Sequence, residues 1–255
     1  MVKGLDTFAE HFAGDEACYV LIGGVATQLA LDQADMPARR TRDLDIVLCV
    51  EVLDASFAQK LWAFIDAGGY QVHQHGAEPR CFHRFAKPET AHFPEQLELF
   101  ARAPDAFPLK PGSHSTPVPI DADMLSLSAI LLDDAYYGFL QAHSRVLAGV
   151  RVVTEYAMIP LKARAWLDLS ERKAGGIGNV DSKQIKKHRN DVLALAQLLS
   201  ATQGTEIAPA IRDDMARFIE AAGTEVTASL LADLRINDTP EDVWARLRAA
   251  YGATP

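Results

Sequence analysis

Apolar residues fall into two regimes along this chain. In the first hundred positions they form short unbroken runs separated by polar turns. Later they recur every three or four residues over long stretches. The run Tyr19-Val20-Leu21-Ile22 and the run Leu44 to Val50 have the length and β-branched content of buried strands. A third run spans 96–102, and two shorter strand-like segments, 70–75 and 80–86, flank a turn at 76–79. Between them the spacing turns helical. Segment 5–11 predicts a short opening helix, and 24–32 a helix directly after the first strand. Asp54 predicts the N-cap of another helix, whose stripe is Leu53, Phe57, Leu61, Phe64 and Ile65 and which Gly68-Gly69 closes. Five prolines between 104 and 119 mark a loop. Beyond it, 124–140 is mostly apolar with a break at Asp133-Asp134, 155–173 reads as a strong helix, and Asp181 or Ser182 caps the next one. Two further helices follow at 206–222 and 240–251. The expectation is an α/β (α+β) chain. A small mixed sheet with flanking helices fills 1–120, and a mainly helical second part fills 121–255.

Two places in the first part carry candidate chemistry. Gly23-Gly24 ends the first strand and opens a helix, so the backbone turns sharply and the first helical N–H groups point beyond the strand end, where a phosphate is well received. Nineteen residues after Gly24, Asp43-Leu44-Asp45 opens the second apolar run. Residues two apart on a strand share a face, so both carboxylates project together while Leu44 goes to the other side. Two like charges held that close remain ionised most easily around a cation, and oxygen ligation suits Mg²⁺ (or Mn²⁺) bridging to a substrate phosphate. Glu98, between Leu97 and Leu99, places a third acid in a strand-like setting.

This set resembles the DNA polymerase β-like nucleotidyltransferases, whose signature is Gly-Gly or Gly-Ser opening a helix, Asp-apolar-Asp on the next strand and a third acid on a later one. The segment Arg39-Arg40-Thr41-Arg42-Asp43-Leu44-Asp45 is similar in particular to the minimal nucleotidyltransferases of the AbiEii type, which include toxins of type IV toxin–antitoxin systems. Two downstream segments, around Lys162 and around Arg189-Asn190-Asp191, look like the later motifs of that group. The resemblance implies that Asp43, Asp45 and Glu98 hold the metal and carry the reaction with Lys162 and Asp191. It implies further that Gly23, Gly24, Thr41, Arg42 and Lys162 bind an NTP. Transfer of an NMP to a hydroxyl acceptor follows, an RNA 3′ end, a protein side chain or a small molecule, with a cognate antitoxin as a further partner. Two other readings stand beside it: a catalytically silent relative that binds a nucleotide or a partner, and a glycosyltransferase using Asp-x-Asp, which leaves the double glycine and Glu98 without a role.

Composition narrows the field. With 255 residues, 49% hydrophobic and 23% charged, the chain has the make-up of a globular protein with a sizeable core. A net charge of −9 argues against indiscriminate nucleic-acid binding, although eight Lys or Arg face three acids between Pro160 and Asn190. No apolar stretch is long enough to span a bilayer, the start lacks a secretory pattern, and Cys18, Cys49 and Cys81 show no paired spacing, so a cytoplasmic protein with reduced thiols is expected. His73, His75, Cys81 and His83 have strand spacing that one hairpin register would gather on a single face, as zinc ligation requires, but a one-residue slip separates them.

Overall fold

The structure, a computed structural model, describes residues 2–73, 82–102, 122–200 and 207–253. The chain divides into two compact units. One is built from Met1–Leu29, Arg39–Ile120 and Ser144–Thr154, the other from Ala30–Ala38, Asp121–His143 and Glu155–Pro255. Segment 30–38 thus belongs to the helical unit and segment 144–154 to the sheet unit.

In chain order the elements are α1 (Leu5–His11), a 3-10 turn (Glu16–Cys18), β1 (Tyr19–Ile22), α2 (Gly23–Gln33), β2 (Asp43–Leu48), α3 (Ala55–Gly68), β3 (Gln71–His73), β4 (Phe82–Ala86) and β5 (Gln96–Phe100). There follow α4 (Ala122–Leu132), α5 (Asp134–Ala142), β6 (Ser144–Leu147), β7 (Val150–Val153), α6 (Glu155–Ala174), α7 (Ser182–Ala196), α8 (Pro209–Gly223), α9 (Ala228–Asp233) and α10 (Pro240–Tyr251). The described strands make one mixed sheet in the order β3-β4-β5-β2-β1-β7-β6. β1 pairs antiparallel to β2, β2 parallel to β5, and β5 antiparallel to β4.

Strand parity sorts the sheet into two faces. Tyr19 and Leu21 share one with their partners Leu48 and Ile46, and this face carries an aromatic cluster. Phe8 of α1 meets Tyr19 edge-on at 5.3 Å and Phe64 of α3 at 5.6 Å, while Phe12 lies 5.6 Å from Phe57. All five rings are buried. Asp54 caps α3 by accepting from Phe57 N–H at 2.8 Å, and Gly69, left-handed at φ 63°, ends it as the Gly68-Gly69 pair predicts. Apolar burial on this side leaves the opposite parity, which includes Asp43, Asp45 and Glu98, on the sheet's other face.

Like α9, the hairpin β6–β7 is an element the spacing did not announce. It lies between two helical stretches, and its turn residues Ala148 and Gly149 both have positive φ, 51° and 75°, the geometry of a tight two-residue hairpin. β7 pairs parallel to β1 through Leu21 and Val152.

Within the helical unit, Asp133 caps α5, Asp181 caps α7, and Thr239 with Asp242 forms a reciprocal capping box on α10. Aromatic contacts bind the helices: Tyr156 of α6 stacks on Tyr251 of α10 at 5.2 Å, and Trp166 meets Phe218 of α8 edge-on at 5.3 Å. The Tyr251 hydroxyl donates to the Tyr156 carbonyl at 2.8 Å. Among the described residues no helix is long and apolar enough to cross a membrane. The expected turn at 76–79, the proline-rich loop, and His75 and Cys81 of the weighed zinc set lie outside the described residues.

Candidate active site

The end of β1 and the start of β2 lie side by side, because Ile22 is the antiparallel partner of Asp45. Gly23 follows immediately and has φ 66°, a left-handed conformation that costs an L residue about 1–2 kcal/mol. A Cβ on Gly23 would fall 1.7 Å from Asp45 Oδ2. The Asp45 carboxylate therefore occupies the space that a side chain at the mouth of α2 would fill. Glycine at 23 is required twice, once by the backbone and once by this close approach.

Gly24 serves a different contact. A Cβ there would meet Thr41 Oγ1 at 2.8 Å, with the Arg39 guanidinium 3.6 Å away. The loop leading to β2 is thus laid against the first turn of α2. The Thr41 N–H also donates to Oε1 of buried Gln28 at 3.0 Å, which ties the loop to the body of the helix. Thr41, Asp43 and Asp45 share parity, so one face of this segment presents a hydroxyl and two carboxylates in succession. Arg42 has the opposite parity. Its Nη1 lies 3.3 Å from Glu95 and its side chain is 73% exposed, so the structure does not bring it to the carboxylates.

Glu98 sits directly beside Asp45, since the parallel register of β2 and β5 pairs Asp43 with Gln96 and Asp45 with Glu98. On its other side the antiparallel register of β4 sets Arg84 opposite Glu98. One transverse row thus runs Arg84, Glu98, Asp45, Ile22 across four strands. Glu98 Oε1 accepts from Arg84 Nε at 3.0 Å and from Gln96 Nε2 at 2.6 Å. Glu98 is 4% exposed, and its carboxyl is pushed up to about 9, first by burial and then by the neighbouring charge of Asp45, with which it is also hydrogen-bonded. Arg84 pulls the other way without offsetting these effects. A hydrogen bond between two carboxyl groups needs one proton, and burial beside a second carboxyl favours the protonated form of Glu98.

Among the described residues no group of three His, Cys, Asp or Glu is disposed to hold a metal ion by itself. The oxygen donors of Asp43 and Asp45 suit a different design. Mg²⁺ takes one or two carboxylates and completes its shell with water and substrate phosphate, and two acids on one strand face beside a helix start fit that requirement.

Lys162 and Asp191 are brought together inside the helical unit. Lys162 on α6 is 5% exposed, and its Nζ donates to Asp191 Oδ2 on α7 at 2.8 Å. The neighbouring Arg189 is also buried and pairs with Glu225 at 2.6 Å. Two cations of the basic stretch, Lys162 and Arg189, thus have specific acidic partners.

Sequence reasoning missed Arg84 and Gln96. Gln96 carried a readable signal, two residues before Glu98 and of the same parity. Arg84 did not, because its place depends on how β4 registers against β5.

No family model matches the chain, and no curated protein does. Among solved structures, an antigenic nucleotidyltransferase-like protein from Paracoccidioides brasiliensis is similar, with 14% sequence identity and a TM-score of 0.47 over 96% of this chain and 99% of that one. A likeness at that distance leaves any assignment of activity to this chain's own residues.

Proposed function

We propose that the sheet unit is a metal-dependent nucleotidyltransferase site, moving an NMP from an NTP to a hydroxyl acceptor. The observation that supports it best is the Asp45 carboxylate lodged where a Gly23 side chain would stand, with Asp43 two positions away on the same strand face and Glu98 beside it in register. Asp43 and Asp45 would hold Mg²⁺ or Mn²⁺ against the triphosphate. The first N–H groups of α2 and the Thr41 hydroxyl would receive phosphate oxygens. A metal ion so held stabilises charge on the transferring phosphoryl group and its leaving pyrophosphate. Glu98, sharing a proton with Asp45, would orient the Asp45 carboxylate. The acceptor to test first is an RNA 3′ end, which the likeness to AbiEii-type proteins implies, followed by protein and small-molecule hydroxyls.

The Arg84 and Gln96 contacts to Glu98 favour a second reading, in which the site binds a nucleotide without transferring it. Pyrophosphate release separates the two. Mixing the protein with each NTP, Mg²⁺ and pools of RNA, protein or small-molecule acceptors should release pyrophosphate with at least one pool. Chelation of the metal or Asp45→Asn should remove that release. Nucleotide binding with no release from any pool would leave the silent reading standing.

A further inference from the structure

We propose that the elbow between α6 and α7 is a docking surface for a phosphodiester backbone, independent of the carboxylate site on the sheet and of what that site does. Between 172 and 187 the chain places five cations, Arg172, Lys173, Lys183, Lys186 and Lys187, against one acid, Asp181, although its net charge is −9.

The structure sorts these charges. Arg172 pairs with Asp168 at 2.8 Å, and the acids on neighbouring turns are spent as well: Glu171 on Arg217, Asp191 on Lys162 and Glu225 on Arg189. Asp181 caps α7, its Oδ1 accepting from the Lys183 N–H at 2.9 Å. Four lysines are left over. Lys173, Lys183 and Lys186 are exposed, Lys187 is half-buried, and no acid among the described residues forms an ion pair with any of them. Lys173 Nζ donates to Oγ of Ser182, the first residue of α7, which carries the end of α6 to the other lysines. Lys183, Lys186 and Lys187 stand three and four residues apart and so share one face of α7, while His188, Val192 and Leu195 are buried on the other.

This arrangement works against the stability of α7 in two separate ways. Like charges three and four residues apart repel. Cations in the first turns also meet the positive end of the helix dipole. Other helices of the same unit follow the opposite rule: α5 opens on Asp134, α6 on Glu155 and α10 on Glu241 and Asp242. A polyanion laid across the lysine face converts both penalties into attraction, and local conflicts of this kind are kept where function uses them. Among polyanions a nucleic-acid strand fits best, because lysine ammoniums meet phosphates as point charges and need no apolar contact. A lipid surface would call for an apolar face to enter the headgroup region, and the apolar face of α7 is packed inside the unit. Contacts of this type position a strand without reading its bases.

The test is fluorescence anisotropy of a labelled oligouridylate of about 12 nucleotides, titrated with the full chain in the absence of Mg²⁺ and NTP. Four lysine contacts to a single strand predict a slope of about −2.8 in log K against log[salt], or about 50-fold in affinity between about 50 and 200 mM salt. Lys183→Gln with Lys186→Gln should weaken binding at least about tenfold and halve the slope to about −1.4. Both side chains are exposed, so the double variant keeps the fold, and its melting temperature should stay level or rise as the repulsion is relieved. Arg248→Gln, at an exposed cation in the last turn of α10, should leave affinity and slope unchanged and so controls for diffuse attraction. Asp45→Asn should bind the strand as wild type does, which separates this surface from the carboxylate site. No saturable binding at about 50 mM salt, wild-type affinity in the double variant, or equal binding of polyglutamate or phosphatidylserine vesicles would each overturn the proposal.

Discussion

Replacing Gly23 by alanine isolates the contact on which the site reading depends. Two costs act there. The left-handed backbone at φ 66° penalises any L side chain by about 1–2 kcal/mol. The new methyl would also start 1.7 Å from Asp45 Oδ2, well inside contact distance, so either Asp45 or the start of α2 has to move. Forcing an extra methyl into a filled site costs roughly 1–3 kcal/mol, which brings the total to about 2–5 kcal/mol. Gly14→Ala separates the two costs, because Gly14 has φ 89° but nothing within 4 Å of an added methyl. Urea unfolding of both variants should show Gly23→Ala less stable than Gly14→Ala by about 1–3 kcal/mol. Adding Asp45→Ala to Gly23→Ala should recover most of that excess, since the colliding carboxylate is then gone. If the two glycine variants lose the same stability, and Asp45→Ala recovers none of it, the carboxylate does not rest against the helix start and the site reading loses its basis.

Three further outcomes follow from the same geometry. Glu98 holds its proton more tightly folded than unfolded, so its contribution is fully present below the ordinary glutamate range and is lost as pH rises from about 4.5 to about 9. Metal-free stability should therefore fall across that window, and Glu98→Gln should flatten the fall; an unchanged slope would refute the assignment. Lys162→Ala takes the buried Lys162 cation away from half-buried Asp191 and should cost up to about 3–5 kcal/mol in denaturant unfolding, whereas Lys162→Met with Asp191→Leu should cost far less. Arg42→Ala removes only an exposed ion pair with Glu95, so unfolding free energy should change by less than about 1 kcal/mol.

How much of this was legible in the sequence depends on the range of the interaction. Local signals carried through: the unbroken run at 19–22 became β1, Asp54 and Asp181 became caps, and the parity of 43 and 45 set both acids on one face. Short elements were harder. β6–β7 was hidden because each strand has only four residues, and α9 because six residues carry too little periodicity. Non-local register was invisible. Nothing in Phe82-His83-Arg84 announces that Arg84 will stand opposite Glu98, since a one-residue slip would turn it to the aromatic face. Lys162 is nominated in the sequence as a nucleotide contact, and only the packing of α7 against α6 reveals that it is buried and paired with Asp191. Arg42 shows the converse limit: proximity in sequence to Asp43 suggested a phosphate contact, and parity sends it to Glu95.

The most direct test of the metal–nucleotide site is an equilibrium titration of Mn²⁺ followed by electron paramagnetic resonance, with and without a non-hydrolysable NTP analogue. Two carboxylates that rely on substrate phosphate to complete the metal's shell should bind Mn²⁺ weakly alone and at least about tenfold more tightly with the analogue. Asp43→Asn or Asp45→Asn should abolish that gain, and Arg42→Ala should leave it intact. Equal Mn²⁺ affinity with and without nucleotide, or a gain that survives Asp45→Asn, would contradict the account.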